Sequence, residues 1–260
     1  MSRTSISSKM IKTRLLLPNP RLAKHVPETR ILTRHRLRLM LEKYRMVYVK
    51  PDSGSRGIGV VRVQKGRQSY RYKSGERTQS FRSFGDMYRS LRRRTGGRLY
   101  LAQRGIRVLK YRGRPFDFRV MIQRDPNRVW QNTGTVGRLA HPRKAVTNGS
   151  QGGTIYPSET LLRRTVGPVR AQRMIRGMNR LARLTAAQFG RRYPAMNELG
   201  LDIAIDRDLY PWILEVNTTP DPCPFALLED KNAIRRIVAY GKAYGRHYRL
   251  TCTKAKKAPG

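Results

Sequence analysis

The chain has 260 residues, with 56 lysines and arginines against 16 acids for a formal net charge of +40, and arginine outnumbers lysine 42 to 14. That length can bury a sizeable core, as one large domain or two interlocked smaller ones, and a hydrophobic share of 38% argues against wholesale disorder. No apolar run approaches the ~18 residues of a membrane span, and two cysteines without a Cys/His cluster exclude a disulfide framework and a zinc site.

Leu15-Leu16-Leu17, followed by Pro18, is too short for a signal-peptide core, so a reducing, cytoplasmic setting is expected. Residues 33–44 read as a helix capped by Thr33, with Leu37, Met40, Leu41 and Tyr44 at helical spacing. A strand over 46–50 follows, then a Gly-rich turn and strands over 59–63 and around 70–72. The spacing predicts a helix over 83–94 with Met87, Tyr88 and Leu91 inward, and a strand over 99–103. Strands are expected at 106–110, 116–123 and 129–136, and Gly-rich irregular chain at about 148–153. Met174, Met178, Leu181, Thr185 and Phe189 mark a longer helix, followed by two strand-like runs carrying Asp202 and Glu215. Ile234, Ile237, Val238 and Gly241 mark a last helix, and Thr251 to Gly260 reads as a frayed basic end. Meandering strands with flanking helices give an α+β fold class.

Two segments carry chemistry. In Trp212-Ile213-Leu214-Glu215-Val216-Asn217, side chains two apart point the same way, so a carboxylate and a carboxamide share one strand face. Asp202-Ile203-Ala204-Ile205-Asp206 precedes it, and a turn through Arg207 to Pro211 would join the two runs as a hairpin. Asp202, Glu215 and Asn217 would then converge as hard oxygen donors of the kind Mg²⁺ prefers. Half of all the acids fall between positions 198 and 230. A solvated hairpin with ordinary turn carboxylates fits the same spacing, and Asp206, Asp208 and Asp221 suit that description.

The second segment is Lys50-Pro51-Asp52-Ser53-Gly54-Ser55-Arg56-Gly57-Ile58-Gly59. A strand delivers Lys50, and Gly54, Gly57 and Gly59 free the backbone to present successive N–H groups to phosphate oxygens. It is neither a Walker A loop nor a dinucleotide fingerprint. No Gly-Lys-[Ser/Thr] ends it, and a strand follows where both need a helix.

The order of these motifs resembles the ATP-grasp superfamily of carboxylate–amine ligases, and within it the YheC/YheD-like, endospore coat-associated branch. The matching residues are Lys9-Met10, Pro27 to Arg30, Val49-Lys50-Pro51 with the three loop glycines, Gln103-Arg104-Gly105-Ile106, Phe116 to Val120, Thr147-Asn148-Gly149, Gly152-Gly153, Gly200 to Ile203 and Leu214 to Asn217. The resemblance implies an ATP-grasp fold, two α+β subdomains sandwiching ATP. It implies Lys50 on the α/β-phosphates, Lys9 as an upstream phosphate-side lysine, and Ser53, Gly54, Ser55, Gly57 and Gly59 in a mobile lid. Gln103, Arg104, Gly105 and Ile106 would border adenine and ribose. Arg119 would face the transferred phosphoryl group, oriented by Asp117, and Asn148 would lie in a loop closing over the acceptor. Asp202, Glu215 and Asn217 would hold Mg²⁺.

Residues 1–45 are then expected to lead into the core, 46–103 to form the subdomain with the phosphate loop, 104–250 the subdomain with the metal site, and 251–260 a basic tail. Members of the superfamily usually carry a domain before the first lysine, and only eight residues precede Lys9 here. A partner protein supplying that surface is one expectation, and an acceptor bound on the basic face of the core is the other. The activity implied is an ATP- and Mg²⁺-dependent ligase joining an amine donor to an acidic peptide or polymer in the spore coat. The competing readings are a kinase of a small alcohol, a nucleic-acid-binding protein and a structural coat protein. Scattered histidines (His25, His35, His141 and His247) offer no nucleophile–base pair.

Overall fold

The computed structural model describes residues 5–55, 57–141, 152–252 and 255–258. The first of two sheets contains β1 (Thr29–Ile31), β2 (Met46–Pro51), β3 (Val61–Lys65), β4 (Tyr70–Ser74), β5 (Arg77–Phe81) and β6 (Tyr100–Arg104), in the order β1-β6-β2-β3-β4-β5. Every neighbouring pair in it is antiparallel. Two helices pack on it, α3 (Arg34–Tyr44) and α4 (Phe84–Thr95). Thr33 accepts the Arg36 N–H at 3.2 Å and Ser83 accepts that of Asp86 at 3.1 Å, so each helix starts at a side-chain cap. Leu37, Met40 and Leu41 of α3 and Met87 and Leu91 of α4 close over Val47, Val49, Val61 and Val63 of the sheet. Strand β5 escapes sequence reading because it is an exposed edge: none of its residues is buried, so no alternation marks it.

The second sheet contains β7 (Lys110–Tyr111), β8 (Arg114–Arg124), β9 (Trp130–Leu139), β10 (Thr154–Pro157), β11 (Glu198–Ile205), β12 (Pro211–Asn217) and β13 (Lys256–Lys257). Its order is β12-β11-β8-β9-β10-β13, with β7 paired to β8 alone. The strand expected at 106–110 shrinks to β7 plus a single bridge from Val108 to Asp206. Strand β8 alternates strictly. Phe116, Phe118, Val120 and Ile122 face a core shared with α5 (Ser158–Val166) and α6 (Pro168–Arg192), where Leu161, Met178, Leu181, Ala182 and Phe189 meet them. On its other face Met121 packs with Phe225 of α7 (Cys223–Ala226) and with Ile234 and Ile237 of α8 (Asn232–Ala243). Asp117 and Arg119 share that second face by period-2 alternation.

Two expectations are corrected at the C-terminal end. The segment read as frayed contains β13, which runs parallel to β10, with Lys256 N–H donating to Gly153 O and Ala258 N–H to Ile155 O, each at 3.1 Å. Composition conceals this because a parallel pairing far along the chain needs no apolar signature. Cys223 and Cys252 form a disulfide with their Cα atoms 5.6 Å apart. Two cysteines make no framework, yet one bridge suffices to tie the last segment to α7.

Helix α1 (Lys9–Leu16) and the short α2 (Pro20–Ala23) complete the fold. The start of α1 is anchored to both sheets. Asp52, just past β2, accepts the Lys9 N–H through its carbonyl and the Met10 N–H through its carboxylate, both at 2.8 Å. Upstream, the Ile6 N–H donates to Thr218 Oγ, just past β12, at 2.9 Å. A carboxylate at a helix N-terminus is favourable for the dipole, and here it also joins the two halves of the protein.

Candidate active site

The sheet registers bring the two segments singled out in the sequence together. Asp202 on β11 lies opposite Glu215 on β12 and opposite Arg119 on β8, forming one row across three strands. Asn217 lies opposite Gly200, one pleat along, and donates to the Gly200 carbonyl at 3.2 Å. Gly200 is required there: a Cβ would stand 2.7 Å from Pro220 Cβ and 3.2 Å from Arg119 Cδ, so a side chain would press on the arginine.

The carboxylates are gripped by guanidinium groups. Arg119 Nε donates to Asp202 Oδ1 at 2.6 Å, and Arg138 Nη2 lies 3.1 Å from Asp202 Oδ2. Arg138 also holds Asp117 through two bonds, at 2.7 and 2.8 Å. The pairing expected between Asp117 and Arg119 is therefore replaced by a buried chain, Asp117–Arg138–Asp202–Arg119. The physical reason is register: Arg138 sits directly across from Asp117 on β9, whereas Arg119 sits directly across from Asp202. Burial pushes the Asp202 pKa up, but Arg119 and Arg138 together outweigh it and bring it to about 2. For Arg138 burial opposes the charge, yet Asp117 and Asp202 raise its pKa and keep it protonated.

Three lysines face this row from the other side. Lys50, at the end of β2, is buried and donates to Gln103 Oε1 at 3.0 Å and to Leu214 O at 3.2 Å. Burial is the largest influence on its ammonium and lowers the pKa to about 8. Lys9 and Lys12, one helical turn apart on α1, lie 3.9 and 4.0 Å from Glu215, and burial likewise lowers the Lys12 pKa. Together with Thr13, Leu16, Val26 and residues 213–216, these lysines line a narrow cavity between α1, β2 and β12.

The loop after β2 carries Ser53, Gly54 and Ser55, all exposed, and Gly57 and Gly59. Gly54, Gly57 and Gly59 all have positive φ, as a loop that turns repeatedly requires. Lys9 Nζ donates to the Gly54 carbonyl at 2.7 Å, so α1 holds the loop through the same lysine that faces Glu215. Gln103, besides accepting from Lys50, donates to Thr29 Oγ and to Leu214 O, at 3.0 and 3.3 Å. Arg104 lies over the rings of Tyr44 and Trp212, 5.0 and 4.6 Å from their centres. At Gly105 a Cβ would meet Met46 Cγ at 2.6 Å and Met46 O at 2.9 Å, so no side chain fits where the chain passes from the first sheet to the second. Ile106 is buried beside it. Asn148 lies outside the described residues. His25 is a packing residue, stacked on Tyr210 and bonded to Pro211 O at 2.8 Å.

The arrangement is a cationic wall of lysines facing a carboxylate–carboxamide row, with a glycine-rich loop at one end and an inter-sheet crossing at the other. A family profile described as YheC/D like ATP-grasp matches residues 2–247. The chain belongs to the YheC/D-like ATP-grasp family. It is 24% identical over 214 residues to the endospore coat-associated protein YheD of Bacillus subtilis (strain 168), covering 79% of this chain and 46% of that protein. To YheC of the same organism, also named as endospore coat-associated, it is 22% identical over 201 residues, 75% of this chain and 55% of that protein. The chain thus spans about half the length of the curated relatives it matches. A crystal structure of N5-carboxyaminoimidazole synthase from Aspergillus clavatus, in complex with ADP and the aminoimidazole ribonucleotide, superposes with a TM-score of 0.55. Identity is 12%, and the match covers 97% of this chain and 54% of that one, which establishes the shared ATP-grasp fold.

Sequence reasoning within this family missed Lys12 and Arg138. Lys12 carried a usable signal, since it lies three residues after Lys9 on what proves to be a helix. Arg138 carried none: only the β8–β9 register puts it beside Asp117 and Asp202.

Proposed function

We propose that this chain is an ADP-forming ligase that joins a carboxylate to an amine through an acyl phosphate. The observation that carries the reading is the facing of Lys9, Lys12 and Lys50 by Glu215 in one cavity, with Asp202 directly across from Glu215 in the sheet and Asn217 two residues along the same strand. Phosphoryl transfer needs positioning and charge neutralisation more than a side-chain nucleophile, and these residues offer both. In this reading Lys50 and Lys9 bind phosphate oxygens of ATP, and the loop from Ser53 to Gly59 covers them. Gln103 to Ile106 border the base and ribose. Arg119 neutralises the phosphoryl group in transit, and Arg138 fixes Asp202 so that Arg119 is held in line. Asn148 is assigned to the acceptor side. The acceptor carboxylate oxygen attacks the γ-phosphorus and ADP leaves. The amine nitrogen then attacks the acyl carbon, phosphate leaves, and the amine proton is lost to solvent.

Asp202, Glu215 and Asn217 suit Mg²⁺ in chemistry, being hard oxygen donors too few to fill an octahedron without substrate oxygens and water. Among the described residues no cluster of three or more His, Cys, Asp or Glu side chains stands in metal-binding array, so the carboxamide is needed as a third donor. When bound, the cation would draw charge from the phosphate oxygens. The names of the two Bacillus relatives favour an acceptor in the spore coat, and the excess of arginine favours an acidic peptide or polymer.

The test is calorimetric titration of Mg²⁺·ATP into the wild type and the Glu215→Gln variant at fixed salt, followed by ADP release with acidic peptides and amines. Saturable binding that needs Mg²⁺ and is lost in the folded variant supports the reading. ADP release with peptide and amine together, and with neither alone, identifies a ligase, whereas a phosphorylated alcohol product would make it a kinase. Absence of wild-type nucleotide binding sinks both.

A further inference from the structure

Helix α6 carries a surface that the cleft does not use. Arg170, Arg173, Arg176, Arg180 and Arg183 recur at intervals of three, three, four and three residues, which aligns them along one helix face. That face is opposite the one that buries Ala171, Met178, Leu181, Ala182, Thr185 and Phe189. All five arginines are exposed, and among the described residues none has an ion pair. Glu159 is the one acid between His141 and Asn197, and it pairs with Arg163 on the neighbouring α5. The thirteen steps from Arg170 to Arg183, at ~1.5 Å each, make the row about 20 Å long. It lies on the far side of the second sheet from Asp117 and Arg119, because α6 covers the Phe118 face of β8.

We infer that this row is a docking surface for the phosphodiester backbone of a nucleic-acid duplex, bound without sequence preference and apart from the nucleotide cleft. The charge spacing supplies the attraction: a duplex carries one negative charge per ~1.7 Å of axis, so a 20 Å row of guanidinium groups is matched by phosphates throughout. The shape selects a duplex over an acidic polypeptide. The arginines stand out from one helix, whose backbone N–H and C=O groups are bonded within it and offer nothing to order an extended peptide, whereas the major groove of a duplex is concave and admits a helix. The row carries no aromatic ring to stack on unpaired bases, which argues against a single strand.

The experiment is fluorescence anisotropy of the full chain with two 24-base-pair DNA duplexes of unrelated sequence, between 50 and 200 mM salt, with poly-glutamate as competitor. Five phosphate contacts give a slope of about −4.5 in log K against log salt, a loss of roughly 500-fold over that range. The Arg173→Gln/Arg176→Gln/Arg180→Gln variant is expected to bind both duplexes more than tenfold weaker at 50 mM, with the slope reduced by about 2.7. A control with the same charge loss on α4, Arg92→Gln/Arg93→Gln/Arg94→Gln, is expected to change affinity by less than threefold. Equal losses in the two variants would show that net charge, not this row, binds DNA. No wild-type binding at 50 mM, or tighter row-dependent binding of poly-glutamate than of the duplex, would overturn the assignment. Nucleotide titration of the α6 variant runs alongside: the inference stands or falls independently of the ligase reading, since the row does not reach the cleft.

Discussion

Arg138→Met tests whether the buried charge chain holds the second sheet together. Its side chain is 3% exposed, and it bonds Asp117 twice while touching Asp202. Removing one member of a buried ion pair costs about 3–5 kcal/mol, because the carboxylates left behind stay desolvated. That is a large part of the ~5–15 kcal/mol by which domains are stable. The acid side sharpens the test. Asp202 has a folded pKa of about 2 against an ordinary 3.8. At ~1.4 kcal/mol per unit this is on the order of 2 kcal/mol of stability, present above pH ~4 and lost as pH falls towards 2. In the variant only Arg119 opposes the burial of Asp202, so its pKa rises and the acid-side loss begins at higher pH. Urea unfolding at pH 7, 5 and 4 can follow Trp130 and Trp212, which sit in β9 and β12 and report on this sheet. Arg173→Met, at an exposed position, should change stability by less than ~0.5 kcal/mol. A loss below ~1 kcal/mol for Arg138→Met at pH 7, or an unmoved acid limb, would show that the chain of charges is not structural support.

Lys50 loses its proton above pH ~8 because burial depresses its pKa, so nucleotide affinity should fall as pH rises from 8 to 9, and Lys50→Arg, which stays charged, should flatten that profile in the same titration. The depression acts oppositely on folding: the unfolded chain keeps the proton up to pH ~10.5, so wild-type stability should rise between about pH 8 and 10 relative to Lys50→Met. Gly105→Ala drives a Cβ into Met46 side chain and backbone and should cost about 1–3 kcal/mol, read as a lower melting temperature. Thr218→Val removes the acceptor for the Ile6 N–H and should cost about 1–3 kcal/mol, with faster hydrogen exchange at the start of α1.

The legible parts of this fold are those where local pattern and tertiary role agree. The alternation of Phe116, Phe118, Val120 and Ile122 against Asp117 and Arg119 announces a strand between a core and a polar face, and the structure has one. Thr33 and Ser83 announce helix starts because a cap acts within three residues. Asp202, Glu215 and Asn217 could be read as one donor set from strand periodicity, and Lys50 and Gly54 as part of a phosphate loop, whereas their roles around one nucleotide come through resemblance, since what unites the two sets is a fold spanning roughly the whole chain. The illegible parts are pairings at long range. Strand β1 has three residues and no fully buried one, and β13 has two lysines; each exists because a longer strand offers it a free edge. Arg138 belongs to the same class, ordinary in its sequence neighbourhood and decisive in the sheet.

The acids also explain where the net charge must lie. Asp117 and Asp202 are committed to Arg138 and Arg119, and Glu198 is buried against Tyr244 and Tyr248. Asp52 holds the start of α1, Asp206 holds its own hairpin turn and the Trp212 indole, and Asp221 and Asp230 accept backbone N–H groups two residues on. Carboxylates spent in this way neutralise arginines inside the protein or serve the backbone, and the exposed acids that remain, among them Glu42, Asp86, Glu159 and Glu229, each pair with one surface cation and are far outnumbered by the 56 lysines and arginines. Solvent-facing helices carry part of the surplus of +40, α6 the most among α3, α4 and α6. Such a surface repels itself, which costs stability at low salt and speeds encounter with polyanions. Raising salt from 50 to 200 mM should consequently raise the melting temperature, opposite in sign to its effect on duplex affinity. A melting temperature that falls over the same range would mean that attractive pairs dominate the surface, contrary to the acid positions above.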